Sequence, residues 1–265
     1  MMYHVKEGKL NLPGMALDYI RFGRGEKTLI MLQGLNTRGI RGSGASLAWM
    51  YRRFARDYTV YLFDRRPDVG EGITVRDMAA DVAAAMDGLG IAKADVLGVS
   101  QGGMIAQYLA MDRPELVNRL VLAVTLARNN ATVTAVVKGW IQMAQQGQMK
   151  ELVADMAEKM YSETYVRRYR PFLPLLTLLQ KPRDVQRFTR LAEACLTCRA
   201  YEELEKITCP VFVIGGVQDK VIGPGASEEI AEKLRCGIHL YDDLGHAAYE
   251  EAKDFNQRVY DFLMG

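Results

Sequence analysis

The sequence predicts an α/β fold: a mostly parallel, eight-stranded sheet flanked by helices, with a helical segment inserted after the sixth strand. Three observations carry this. Short apolar runs alternate with helical periodicity at even spacing up to about residue 127. From 128 to 205 helical periodicity continues but no strand pattern is found. The alternation then returns and runs to residue 265.

Taken in order, Lys9–Leu12 and Ala16–Phe22 read as two strands joined by a turn at Pro13-Gly14, close enough to form an antiparallel edge. Thr28–Leu32 is a continuous apolar run, as expected of a buried parallel strand, and a loop follows from Gln33 to about Gly44. Ser46–Arg56 has helical spacing. Tyr58–Phe63 is a strand ending in Asp64-Arg65-Arg66-Pro67. Thr74–Leu89 is a helix, with Thr74 suited to cap it and Gly90 to end it. Val96–Val99 and Arg119–Ala123 are strands on either side of a further helix. The inserted segment carries helical patterns over Thr134–Gln145, Lys150–Met160 and Asp184–Arg199, with an apolar piece from Phe172 to Leu179 set off by prolines. It is too long to be a surface loop. Val211–Gly215 restores the buried strand, Ser227–Leu234 is helical, Gly237–Tyr241 is the last strand, and Ala247–Leu263 closes the chain as one amphipathic helix. This gives a core of 1–127 and 206–265 and a helical insertion of 128–205.

Composition narrows the function classes. The 265 residues are 49% hydrophobic and 25% charged, an ordinary globular balance. A net charge of +2 offers no bulk field for nucleic acid or an anionic membrane, so neither is expected as a partner. No apolar run approaches the roughly 18 residues of a membrane span, and the first residues lack a signal-peptide pattern. A cytoplasmic protein is expected, with its four cysteines as free thiols. Cys195-x-x-Cys198 has no second ligand pair at metal spacing, so neither a metal nor an organic cofactor is expected. Monomer and homodimer both stay open.

The chemistry gathers at the carboxyl ends of the strands, where functional loops of parallel sheets collect. Asp95-Val-Leu-Gly-Val-Ser-Gln-Gly-Gly-Met104 passes from strand to helix through Gly98-x-Ser100-x-Gly102. A serine in so sharp a turn needs neighbours without bulk. A serine hydroxyl also needs a base, and His246, just past the last strand, is the histidine suited to that role. His4 lies at the terminus and His239 inside a strand. Asp219, past the Val211–Gly215 strand, can fix the imidazole tautomer. Backbone amides must meet the oxyanion; Gln101, next after the serine, and Leu35, past Gly34, are the candidates.

These residues carry a resemblance. Gly98-Val-Ser-Gln-Gly-Gly-Met-Ile-Ala-Gln107, Phe63-Asp-Arg-Arg66, Gly215-Gly-Val-Gln-Asp219 and Gly245-His246 look like the α/β-hydrolase fold superfamily, in the branch with a helical cap between core strands six and seven. The similarity covers nearly the whole core. It implies Ser100, Asp219 and His246 as a catalytic triad and 128–205 as the cap. The serine sets the chain apart from members with an aspartate nucleophile. One position departs: the family's usual His-Gly is Gln33-Gly34 here. The expected function is hydrolysis of an ester, thioester or lactone of a small-molecule acyl substrate. Alternatives are carbon–carbon bond hydrolysis or cofactor-free perhydrolase (haloperoxidase-like) chemistry with the same triad, and a small-molecule receptor on this fold with slow hydrolysis. Asn36, Trp140, Met143, Met160 and Tyr165 are the candidate substrate contacts, with the Phe172–Leu179 run as further apolar lining. Arg38, Arg41 and the group Arg167, Arg168 and Arg170 are candidates to meet a substrate carboxylate.

Overall fold

A computed structural model describes residues 2–265, with all side chains in that range except those of Met2, Leu173 and Leu176. Eight strands form one sheet in the order β1-β2-β4-β3-β5-β6-β7-β8: β1 Lys6–Leu12, β2 Met15–Gly23, β3 Lys27–Leu32, β4 Tyr58–Phe63, β5 Ala94–Val99, β6 Val117–Ala123, β7 Val211–Gly216 and β8 Gly237–Tyr241. β1 and β2 form an antiparallel hairpin, and β2 pairs antiparallel with β4. All other pairs are parallel. Every predicted strand is present, most of them longer by one to three residues at the amino end.

β5 is the central strand, and all six of its residues are buried. Its side chains alternate between two cores, as the two-residue pleat requires. Val96 joins α2 (Val75–Gly88) and α3 (Gln101–Asp112) on one face. Leu97 and Val99 join the other face with α1 (Gly44–Met50) and α11 (Phe255–Met264). Thr74 caps α2 by a reciprocal capping box with Asp77, and Gly90 follows the helix in the left-handed range, at φ 68°.

Two helices differ from their prediction. Ser46–Arg56 holds α-helix only as α1, which ends at Met50. Residues beyond it continue in tight turns, with Phe54 N–H bonded to Tyr51 O and Asp57 N–H to Phe54 O. The expected single closing helix is two, α10 (Ala248–Glu251) and α11, because Ala252 is extended (φ −75°, ψ 120°). The carboxylates of α10 are engaged elsewhere, as described below.

Five helices occupy the interval between β6 and β7: α4 Ala131–Gln145, α5 Met149–Met160, α6 Glu163–Tyr169, α7 Leu173–Gln180 and α8 Val185–Cys195. The last helix before β8 is α9, Ala226–Leu234. α6 had no predicted counterpart. Its start is capped by Ser162, whose Oγ accepts from Tyr165 N–H. A bridge between Arg128 and Arg199 closes the base of this segment. Among the described residues, no helix is long and apolar enough to cross a membrane.

The strand–helix crossing at β5 and α3 sets the tightest packing. A Cβ on Gly102 would stand 2.0 Å from Leu32 O, and one on Gly98 would stand 2.5 Å from Gly102 O. Gly139, within α4, has no atom within 4 Å of its Cβ position. Gly102→Ala should therefore destabilise the fold by about 3 kcal/mol or more, while Gly139→Ala should stabilise it by about 0.5–1 kcal/mol. Urea unfolding of the two variants checks this; equal midpoints would refute the contrast.

Candidate active site

Ser100 sits between β5 and α3 with φ 54° and ψ −118°, a conformation L-residues rarely adopt. Four hydrogen bonds hold it there. Ser100 N–H donates to Ala123 O of β6 at 2.9 Å. Ser100 O accepts from Gly103 N–H at 2.8 Å, Met104 N–H at 3.1 Å and Thr125 Oγ at 2.7 Å. Thr125 is brought there by Val124, itself at φ 44° and bonded to Ile214 O of β7. Neither residue was singled out from the sequence, because a positive φ at a β-branched residue leaves no compositional trace.

The Ser100 hydroxyl lies 2.9 Å from His246 Nε2, and His246 Nδ1 lies 2.7 Å from Asp219 Oδ2. The other carboxylate oxygen, Oδ1, accepts from the amides of Val221 at 2.8 Å and Ile222 at 3.0 Å. Asp219 is thus oriented by its own turn, with Oδ2 left to accept the hydrogen bond from the imidazole. With the Nδ1 proton directed at Asp219, the Nε2 lone pair faces the serine. Asp219 and His246 are 4% and 3% exposed, so water competes little for these bonds.

The two loops that carry them are laced together. Gln218 N–H donates to Leu244 O at 3.0 Å and Gln218 Nε2 to Asp242 O at 3.1 Å. Gly216 permits the crossing, since a Cβ there would stand 2.3 Å from Leu244 O. Ala247 N–H, next to the histidine, donates to Met160 O at the end of α5 at 2.7 Å.

The loop after β3 passes over the serine: a Cβ on Gly34 would stand 3.2 Å from Ser100 Cβ. Leu35 lines the same small cavity as Ser100 and His246. Gln101 is the first residue of α3, where an N–H has no partner within the helix. Its side chain is fully buried and donates to Leu191 O of α8 at 2.6 Å.

A profile of the alpha/beta hydrolase family matches residues 37–258. The chain belongs to that family. Among its relatives, 3-oxoadipate enol-lactonase 2 of Acinetobacter baylyi is 24% identical, over 97% of this chain and 96% of the relative. A pimeloyl-[acyl-carrier protein] methyl ester esterase of Neisseria meningitidis is 28% identical, over 75% of this chain and 80% of the relative. The fold agrees with the crystal structure of MGS-M2, an alpha/beta hydrolase enzyme from a Medee basin deep-sea metagenome library, at a TM-score of 0.88 and 20% identity over 97% and 98% of the two chains.

Three cavities meet at Leu35. One, of about 40 Å³, holds Ser100 and His246 under Trp140, Met156 and Met160. A second, of about 530 Å³, opens between the Asn36–Ile40 loop and α5. A third, of about 180 Å³, lies behind the loop against Tyr51 and Tyr249. Of the expected contacts, Asn36 lines the second and third, Trp140 the first, and Met160 the first and second. Met143 instead packs against the core, and Tyr165 stacks between Tyr161 and Tyr169 at 4.4 Å on each side. Phe172, Leu175 and Leu178 are exposed rather than turned to a pocket. Leu179 borders the widest cavity, and the side chains of Leu173 and Leu176 lie outside the described residues.

Two of the five candidate arginines have protein partners. Arg38 donates to Leu178 O at 2.8 Å, and Arg41 is paired with Asp18 at 2.8 Å. Arg167, Arg168 and Arg170 are exposed. Arg65, which the sequence offered only as part of the Asp64–Arg66 turn, has a structural role at the site: its guanidinium donates to Gln33 O, and to Gly34 O at 3.4 Å. Burial pushes its pKa down to about 10, which leaves it charged at neutral pH. Asp64 accepts from Ile40 N–H at 3.0 Å and from Arg187 of α8 at 3.2 Å. Cys195, beside Gln101, has its thiol pushed up to about 11 by burial, and Cys198 to about 12, so both stay protonated.

The strained turn can be tested without reference to activity. Replacing Ser100 by glycine should leave the fold more stable than replacing it by alanine, by about 1 kcal/mol or more, the reverse of the usual order. Denaturant midpoints of the two variants decide; an alanine variant as stable as the glycine one would remove the strain from the account.

Proposed function

We propose that this chain is a serine hydrolase of carboxylic esters, thioesters or lactones. The observation that carries the reading is the unbroken line of hydrogen bonds from Ser100 Oγ through His246 to Asp219. Ser100 Oγ attacks the substrate carbonyl while His246 Nε2 takes the hydroxyl proton. Asp219 stabilises the imidazolium that forms. The amides of Leu35 and Gln101 receive the developing oxyanion, a stabilisation available before the reaction because both amides are fixed by backbone structure. His246 then gives its proton to the leaving oxygen or sulfur. Water, deprotonated by the same nitrogen, releases the acyl group and restores the serine.

The interval 128–205 is proposed as the cap that closes over this chemistry. Trp140, Met156 and Met160 come from it, and the cavity they form over Ser100 is small and mostly apolar. That shape favours a short acyl group, with the rest of a small-molecule substrate extending past Leu35 into the wider cavity. The names of the two relatives, one a lactonase and one a methyl ester esterase, agree with this bond class.

Fluorophosphonate labelling and p-nitrophenyl ester turnover test the assignment. Label is expected on Ser100 and absent from Ser100→Ala, with acetate and butyrate esters turned over faster than decanoate. Asp219→Asn should lower kcat by roughly 10³–10⁴-fold, by supplying a partner that favours the wrong tautomer. Rapid labelling with no ester turnover would redirect the proposal to carbon–carbon hydrolysis or to a receptor. No labelling at all would end it.

A further inference from the structure

One carboxylate in the cavities is not used by the chemistry above. Glu250 lines both the 180 Å³ and the 530 Å³ cavities, and among the described residues it is the only carboxylate lining either. It lies on α10, four residues beyond His246, and its neighbour Tyr249 lines the cavity that holds Ser100. The Glu250 side chain is exposed to solvent where it borders these cavities.

Its surroundings are phenolic. Tyr161 Oη donates to Glu250 Oε2 at 2.7 Å, and the Tyr249 hydroxyl hydrogen-bonds the same carboxylate. Tyr51, beyond α1, and Tyr165, on α6, also feel its charge. The other acid nearby, Glu251, is bound to Ser162 N–H at 2.9 Å and Ser162 Oγ at 2.6 Å. The one arginine lining the wide cavity, Arg38, donates to the carbonyls of Leu178 and Lys181. A carboxylate among tyrosine rings, with the nearest arginine tied to carbonyls, is a chemical match for an organic ammonium group. The charge pairs with the cation, and Tyr161, Tyr51 and Tyr249 supply aromatic walls to the cavities that Glu250 lines.

We infer that the Glu250 pocket is a substrate subsite that takes an ammonium-bearing arm and rejects a carboxylate. The inference rests on the hydrolase reading above and adds the substrate class to it. Pocket shape and charge distinguish the arms. A methyl-ended arm fits the apolar walls but leaves Glu250 without a cationic partner, and a carboxylate-ended arm meets repulsion.

The subsite carries a pH signature. Burial raises the Glu250 pKa above the ordinary carboxylate range, opposed by the hydrogen bonds from Tyr161 and Tyr249, with Glu251 adding to the rise. Both phenols are themselves raised by burial and remain donors. The ammonium preference should therefore appear as pH rises through the Glu250 pKa. Tyr161→Phe removes a bond that favours the ionised form, so it should move that onset to higher pH.

The test uses the full chain and esters with a four-carbon arm ending in ammonium, methyl or carboxylate, on the acyl or the alcohol side. In at least one series, kcat/KM for the ammonium arm should exceed the methyl arm by about 10-fold, with the carboxylate arm lowest. Glu250→Gln should reduce that ratio to about 2-fold or less and relieve the discrimination against carboxylate. An unchanged ratio in Glu250→Gln, or a carboxylate preference in the parent, overturns the inference. If Glu250→Gln does not fold, the pH onset in Tyr161→Phe decides, and an onset that does not move overturns it. Should the parent hydrolyse none of these esters, the hydrolase reading fails separately. Calorimetric binding of butylammonium to the parent and to Glu250→Gln then judges the subsite alone, and equal affinity sinks it.

Discussion

The site depends on a backbone approach that only a missing side chain allows. At the β5–α3 crossing, the first turn of the helix presses against the end of β3, and no Cβ fits at Gly102. That contact forces the residue before the helix into the unusual conformation seen at Ser100. Such a residue costs about 1–3 kcal/mol and persists only where its surroundings over-determine it. Here they do: β6 holds its amide, while Gly103, Met104 and Thr125 hold its carbonyl. The same turn has two chemical results. It places the hydroxyl 2.9 Å from His246 Nε2, and it leaves the first amide of α3 without a partner inside the helix.

The helical segment is fastened to the core beside each site residue. Gln101, next to the serine, holds Leu191 of α8. Asp64, next to Arg65, holds Arg187 of α8. Ala247, next to the histidine, donates to Met160, and Glu250 and Glu251 hold Tyr161 and Ser162. The last three contacts fall on consecutive residues where α5 gives way to α6. They explain why the closing helix is broken: α10 is held by its acidic residues against the insertion, while α11 packs Phe255, Val259 and Leu263 under the sheet. One helix cannot run straight and satisfy both.

How much of this the sequence disclosed follows the range of each interaction. The strands were legible because apolar period and turn residues are local signals, and Ser100, Asp219 and His246 because each follows a strand end in a recognisable order. The structure brings those three into hydrogen-bond contact. The break at Ala252 and the short α1 were not legible, since both arise from tertiary contacts that override helical periodicity. The insertion was least legible. Met143 and Met160 look alike in a helical pattern and both pack against the core, yet Met160 also lines the cavity that holds Ser100 and Met143 does not. Glu250 was invisible for the same reason: an acid in an amphipathic closing helix reads as a solvated face, and only the fold sets that exposed carboxylate at the edge of two cavities.

The substitution of glutamine for the family's usual histidine at position 33 can be understood from the peptide units around it. Leu35 N–H and Gly34 C=O belong to one planar, trans peptide, so fixing the carbonyl fixes the amide pointing the opposite way. Arg65 donates to Gly34 O and to Gln33 O from a buried position beneath the loop. Its charge therefore orients two successive peptides, and it polarises the Gly34–Leu35 unit in the sense that strengthens the N–H as a donor. The side chain at position 33 takes no part in that arrangement. What must be preserved is the absence of bulk at Gly34, where a Cβ would crowd Ser100, and the cation below. A loop held by its carbonyls can tolerate a changed side chain and still present the amide that the proposed chemistry requires.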